Sequence, residues 1–289
     1  MASRPYHVQG ERDACGIGFV ADARGRSSRM IVEAALGALR RVKHRGAVAA
    51  DAKTGDGAGI LLPIPGRFFA RAAAGLGLAE PDPEWIGIAM VFAEPAVPEL
   101  DVSRIVEAAC RAEAIDVIAW RTVPVEPGAL GDFARATMPR IAQAMLLRPA
   151  GLSREEAERN AHRARRRAEA AIRKAGLAVS FPSFGFSTVT YKGLVAADQL
   201  GELYPDLRDP DVEAHFAIFH QRYSTNTLPT WERAQPFRLI CHNGEINTIA
   251  GNVNRMRCRE GRLGKWSLLE EEVLRPVIDE SGSDSAMLD

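Results

Sequence analysis

Cysteine is scarce in this sequence: four in 289 residues, at Cys15, Cys110, Cys241 and Cys258, with no C-x-x-C pair. Zinc and iron–sulfur sites draw on closely spaced ligand pairs, so this spacing speaks against either, and no metal site is expected. So few cysteines in so long a chain also argue against a disulfide framework. A surplus of charge is lacking too. The 37 basic residues are balanced by 37 acidic ones, which disfavours nucleic-acid binding by the surface as a whole. Long apolar runs are missing: no stretch approaches the roughly 20 apolar residues that a membrane span needs. The opening segment, Met1 to Ala14, is polar and charged through Arg4, Glu11, Arg12 and Asp13, unlike a secretory signal. A cytoplasmic protein without membrane contact is expected. Internal repeats, low-complexity linkers and a dinucleotide-binding glycine fingerprint are absent as well.

What remains is an ordinary globular composition, 46% hydrophobic and 26% charged, long enough to bury a sizeable core. The apolar run Gly16 to Ala21 reads as a buried strand ending in a turn at Asp22 to Gly25. Ser27 or Ser28 can cap a helix whose apolar positions Ile31, Ala34, Ala35, Ala38, Leu39 and Val42 recur at helical spacing and which ends at His44-Arg45-Gly46. Further strands are expected at Ile60–Ile64, Ile86–Phe92, Val117–Val123, Phe184–Tyr191, Phe216–Gln221 and Arg238–Cys241. Helices are expected at Arg67–Ala74, Val102–Ala112, around Pro139–Leu147 and at Ser153–Lys174. Such a mixture suggests layered sheets and helices, without fixing a topology.

The Ser153–Lys174 segment is rich in arginine: Arg163, Arg165, Arg166, Arg167 and Arg173. It reads either as a solvated helix laced with i,i+4 pairs such as Glu155–Arg159 and Glu169–Arg173, or as a contact for RNA or a partner protein. No aromatic residues are interleaved for base stacking, which favours the former.

Polar clusters interrupt the apolar segments at four places: Asp13 to Gly18, Phe219 to Asn226, Cys241 to Asn247, and Glu280 to Ser285. Each alone has a structural explanation. Cys15 could be a small buried hydrophobe, Arg222 one half of an ion pair, Asn243-Gly244 a hairpin turn, and Gly282-Ser283-Asp284 a loop or helix cap.

Together, in this order, they resemble the class II glutamine amidotransferases, which are N-terminal-nucleophile hydrolases. Cys15-Gly16-Ile17 is similar to the nucleophile segment and His220-Gln221-Arg222-Tyr223-Ser224-Thr225 to the substrate-carboxylate segment. His242-Asn243-Gly244-Glu245-Ile246 is similar to the oxyanion segment, and Gly282-Ser283-Asp284-Ser285 to the one that holds the substrate's amino group. Glu11 to Gly16, Lys53 to Gly59, Tyr191-Lys192-Gly193 and Ala234 to Arg238 resemble the large subunit of glutamate synthase in particular. Four ordered motifs carry far more weight than one.

The resemblance implies that L-glutamine is hydrolysed to glutamate and ammonia through a thioester on Cys15. A thiol with a pKa near 8.5 is only slightly ionised at neutral pH and needs a base. The family's base is the nucleophile's own α-amine, whose pKa of about 7.7–8.0 suits a group that accepts and returns a proton. Residues 1–14 are then a propeptide and 15–289 the amidotransferase domain. Asn243 and Gly244 would donate to the oxyanion, Arg222 would bind the α-carboxylate as a fork, Asp284 would face the α-ammonium, and Thr225 would add a hydrogen bond. His44-Arg45-Gly46 and Gly55-Asp56-Gly57 are assigned to scaffold and loop shape. The implied fold class is α+β, a four-layer α/β/β/α sandwich. Family members continue beyond a point corresponding to Asp289, so a C-terminally incomplete sandwich is expected. The flavin mononucleotide and iron–sulfur cluster of a glutamate synthase would belong to a separate domain or subunit that aminates 2-oxoglutarate. Two other classes remain: a catalytically silent glutamine-binding remnant, and an RNA- or partner-binding protein using the basic helix at 153–174.

Overall fold

The protein is described from a computed structural model covering residues 16–222, 228–242, 246–263, 270–280 and 282–289. Strand β1 (Ile17–Ala21) leads into helix α1 (Arg29–Arg41), followed by β2 (Ala58–Pro63) and α2 (Gly66–Gly75). Then come β3 (Ile86–Ala93), α3 (Glu99–Ala112), β4 (Asp116–Thr122), α4 (Asp132–Ala136) and β5 (Arg140–Leu147). The long α5 (Arg154–Ala175) precedes β6 (Val179–Gly185), β7 (Thr188–Gly193), the short α6 (Leu200–Leu203) and β8 (Phe216–Gln221). Helices α7 (Ile249–Leu263), α8 (Glu271–Leu274) and α9 (Asp284–Leu288) follow.

The strands form two four-stranded sheets, ordered β1-β8-β2-β7 and β4-β5-β3-β6. Every pairing in both is antiparallel. The architecture is therefore mixed α/β with two antiparallel sheets. β3 shows why its sequence is apolar throughout. Ile88, Met90 and Phe92 join a core shared with Ile60 and Leu62 of β2, Tyr191 of β7 and Leu39 of α1. The alternate residues Ala89, Val91 and Ala93 join a second core with Val106 of α3 and Ala161 and Ala168 of α5. A strand covered on both faces loses the in–out alternation that marks a half-exposed one.

The same effect corrects the expectation of a helix at Pro139–Leu147. That segment is β5, paired with β3 and β4, and burial on both faces gives its run of Ala144, Met145 and Leu146 no strand signature. The expected single strand Phe184–Tyr191 is two strands in different sheets, divided at Phe186-Ser187. No strand forms at Arg238–Cys241.

Helix α1 begins after Ser28, as expected, but the Ser28 side chain makes no capping bond. Its backbone instead forms an isolated bridge with Ala214. Helix α5 has a full capping box: Ser153 Oγ accepts from Glu156 N at 3.2 Å, and Glu156 Oε2 accepts from Ser153 N at 2.9 Å. It stops at Gly176, whose φ of 66° suits a residue without Cβ.

Six arginines of α5, from Arg159 to Arg173, are engaged within the chain. Arg163 and Arg167 converge on the buried Glu113 at 2.6 and 2.7 Å, and Arg165 and Arg166 grip Glu169 at 2.7 and 3.0 Å. Glu155–Arg159 forms as expected. Glu169, however, pairs with Arg165 and Arg166 rather than Arg173, which donates to the carbonyl of Arg275. This favours the reading of α5 as a paired structural helix over an RNA-binding one. Among the described residues no helix is long and apolar enough to cross a membrane.

Candidate active site

The site is built where β1 begins and β8 ends. Antiparallel pairing sets Ile17 opposite His220, and just beyond it Gln221 N donates to Gly16 O at 2.8 Å. Gly16 is required here by space. A Cβ at this position would lie 2.0 Å from Gln221 O, so the two strand ends approach more closely than any side chain allows. Cys15 itself lies outside the described residues, but its immediate neighbour is fixed against the segment that carries Arg222.

β8 also pairs with β2, setting Ala58 opposite Gln221 and Gly59 opposite His220. The pairing extends one step further, with Arg222 N donating to Gly57 O at 2.7 Å. Gly57 and Arg222 both have positive φ, 127° and 111°. For arginine that is a strained backbone, of the kind retained at functional sites. The Arg222 side chain is 42% exposed, and its Nε lies 3.9 Å from Oδ2 of Asp56, which is 6% exposed. Burial pushes the Asp56 carboxyl above its ordinary range, opposed by hydrogen bonds and by the Arg222 charge. Gln221 Nε2 donates to the other Asp56 oxygen at 3.3 Å. The alternative of Arg222 as half of an ion pair is thus partly met, although 3.9 Å is too long for a hydrogen bond.

His220 is fully buried, and its Nδ1–H donates to Arg222 O at 2.9 Å. Burial, aided by the neighbouring His242 and Arg222 charges and opposed by that backbone bond, pushes its imidazole down to about 4. It is neutral at physiological pH and holds the turn that presents Arg222.

The segment leading to Asn243 is held by one side chain. Gln235 is fully buried; its Oε1 accepts from His242 N at 2.8 Å and its Nε2 donates to His242 O. The Gln235 backbone packs on β2, where a Cβ at Gly59 would meet Gln235 O at 2.5 Å. On the far side of residues 243–245, Ile246 N donates to Asp284 Oδ2 at 2.9 Å. Ser283 caps α9, accepting from Ala286 N at 3.2 Å, so the cap reading of this motif also holds and places Asp284 in the first turn.

Of the expected site residues, Arg222 and Asp284 are described. Cys15, Thr225, Asn243 and Gly244 lie outside the described residues, although their neighbours Gly16, Arg222, His242 and Ile246 do not. Asp56 and Gln235 were given no role in the site by sequence reasoning, yet both hold its segments. Gly46 offered a signal, since a Cβ there would come within 2.0 Å of Gln221 Nε2 and 3.0 Å of Asp56 Oδ1. Among the described residues no group of three or more His, Cys, Asp or Glu side chains could hold a metal. A cavity of about 780 Å³ lies elsewhere, between α5, α7 and α9, with buried Lys192 in its wall.

Polar side chains from separated segments, gathered where the strands of one antiparallel sheet end, are the frame of an enzyme domain. The chain belongs to the class-II glutamine amidotransferases, whose family model matches residues 15–289. It is 41% identical over 291 residues to ferredoxin-dependent glutamate synthase 2 of Synechocystis sp., covering 99% of this chain and 18% of that protein. It is 42% identical over 290 residues to the glutamate synthase [NADPH] large chain of Azospirillum brasilense, covering 98% and 19%. The chloroplastic ferredoxin-dependent glutamate synthase of Oryza sativa subsp. japonica is 40% identical over 287 residues, covering 98% and 18%. The chain thus spans about a fifth of the length of these relatives.

Proposed function

We propose that this domain hydrolyses L-glutamine to glutamate and ammonia with Cys15 as nucleophile, once residues 1–14 are removed. The freed α-amine takes the thiol proton, the thiolate attacks the side-chain amide carbon, and the proton returns to the departing ammonia. Water then hydrolyses the thioester. Asn243 and Gly244 stabilise the oxyanion, where losing one donor costs about 2.7–4 kcal/mol. Arg222 binds the α-carboxylate, Asp284 the α-ammonium, and Thr225 adds a hydrogen bond. The observation that carries this reading is the hydrogen bond from Gln221 N to Gly16 O, which keeps the nucleophile's neighbour beside the carboxylate-binding arginine.

The two antiparallel sheets are read as the inner layers of a four-layer α/β/β/α sandwich. In a protein built like the relatives, the ammonia would serve glutamate synthesis from 2-oxoglutarate in other domains or a subunit, with electrons from NADPH or ferredoxin. Flavin mononucleotide and an iron–sulfur cluster belong to that machinery. The described cysteines do not fit a cluster site, since Cys110 is buried, Cys258 is exposed and neither shares a ligand group. A cytoplasmic location accords with this chemistry.

Intact mass together with a glutaminase assay tests the reading. Activity is expected only in chain that begins at Cys15, and Cys15→Ala should abolish ammonia release. Full activity in chain retaining residues 1–14 would overturn the α-amine mechanism, and glutamine binding without turnover would point to a silent binding domain.

A further inference from the structure

Three buried polar atoms beside the proposed carboxylate site have no hydrogen-bond partner among the described residues: Asp56 Oδ2, Gln221 Oε1 and Arg222 Nε. Buried polar atoms are usually satisfied, and an unsatisfied group calls for a physical reason. Two of these three face each other, Oδ2 of Asp56 and Nε of Arg222, at 3.9 Å. Asp56 cannot drift away. Its backbone N donates to Ala47 O at 3.1 Å, its Oδ1 accepts from Gln221 Nε2, and Gly46 closes over that contact. Arg222 is anchored on its backbone by the bond to Gly57 O and the bond its own carbonyl accepts from His220. Its guanidinium therefore has a buried edge toward Asp56 and an open edge toward solvent.

We infer that Asp56 is a positioning residue for substrate recognition: it holds the inner edge of the Arg222 guanidinium so that the outer N–H pair meets the α-carboxylate of glutamine. This rests on the reading of Arg222 given above. A guanidinium is planar, so fixing Nε on one edge fixes the direction of the fork on the other. Closing the 3.9 Å separation to hydrogen-bond distance brings Arg222 into register for the substrate. A free arginine would have to be oriented anew by every substrate molecule, at a cost in affinity.

The test compares two ligands in the full chain: glutamine, and 4-aminobutanamide, which carries the same amide and amine but no α-carboxylate. Asp56→Asn should raise KM for glutamine by about 10- to 100-fold, the loss typical of a charge-assisted hydrogen bond, with kcat changed by less than about threefold. Affinity for 4-aminobutanamide should stay within about twofold of the unaltered protein, because the lost partner acts only through the carboxylate fork. In an Arg222→Lys background, Asp56→Asn should add less than about twofold. A substitution that merely loosened the loop would weaken both ligands alike and lower kcat, and that outcome overturns the inference. So does a glutamine KM raised by Arg222→Lys but untouched by Asp56→Asn, which leaves the proposed function standing. If Arg222→Lys itself leaves KM unchanged, the carboxylate assignment fails and the inference with it. Should Asp56→Asn not fold, Asp56→Glu, which keeps the charge but shifts it by one methylene, is read on the same two ligands with the same selective loss expected.

Discussion

Replacing Gly16 by alanine tests how tightly the proposed nucleophile's neighbour is held. An added Cβ would sit 2.0 Å from Gln221 O, against a limit near 3.0 Å that real contacts rarely cross. Gln221 cannot yield freely, because β8 is paired with β2 on its other side. The end of β1 must therefore move out by about an ångström, which also breaks the hydrogen bond from Gln221 N to Gly16 O. Overpacking of this kind costs about 1–3 kcal/mol, and the lost hydrogen bond adds about 1 kcal/mol. The sum lowers Tm by roughly 4–16 °C for a domain of this size. The effect on turnover should be larger in proportion, since misplacing a reacting group by about 1 Å can cost on the order of 100-fold in rate. Differential scanning calorimetry and a coupled glutamate assay on the same preparation measure both. A Gly16→Ala protein with unchanged Tm and kcat would refute the claim that this contact positions Cys15.

Two further outcomes follow from other buried groups. Asp206 accepts from Arg121 at 2.6 and 2.7 Å and from the Tyr191 hydroxyl at 2.9 Å. Asp206→Asn strands a buried cation and should cost about 3–5 kcal/mol, while Tyr191→Phe removes one bond to a charge, about 1.5–3 kcal/mol, and the weaker one that the hydroxyl accepts from Gln143 Nε2, about 1 kcal/mol. Urea unfolding distinguishes them, and Asp206→Asn costing no more than Tyr191→Phe would contradict the network. His220 stays neutral in the folded chain down to about pH 4, whereas in the unfolded chain it takes up a proton near its ordinary value of 6.5. Its contribution is present above pH 6.5 and is lost as pH falls through about 4, a change of about 3 kcal/mol. His220→Gln should flatten the decline in stability between pH 7 and 4 by that amount; an identical decline would rule it out.

The parts of the fold legible in the sequence carry a clear stop or a run of strand-forming residues, as β3 does with Ile86, Ile88, Val91 and Phe92. Helix α5 announces itself by Ser153, Glu156 and Gly176, and β8 by its short apolar run ending in polar residues. β5 was illegible because cover on both sides removes its alternation while Ala142, Gln143, Ala144, Met145 and Leu146 are good helix formers. The run through Phe186 hid a change of sheet, since Phe184 to Tyr191 has no proline or charged residue to mark the break. Arg238–Cys241 has strand-like residues but no strand partner, and Leu239 N donates instead to the Asp289 side-chain carboxylate. The proposed site residues come from four motifs in order, since each motif alone has a structural explanation. Asp56 and Gln235 were not legible, because their roles come from what the fold brings beside them.

The hold of Gln235 on His242 has its own consequence. A sheet constrains a segment along its whole length, but here one side-chain amide takes both the donor and the acceptor of a single peptide residue. That is a clamp rather than a rail: it fixes one residue against sliding. Neither glutamate, which has no N–H, nor asparagine, one methylene shorter, reproduces it. The stretch that leads to Asn243 and Gly244 is thus fixed at His242 through a residue that need never touch the substrate.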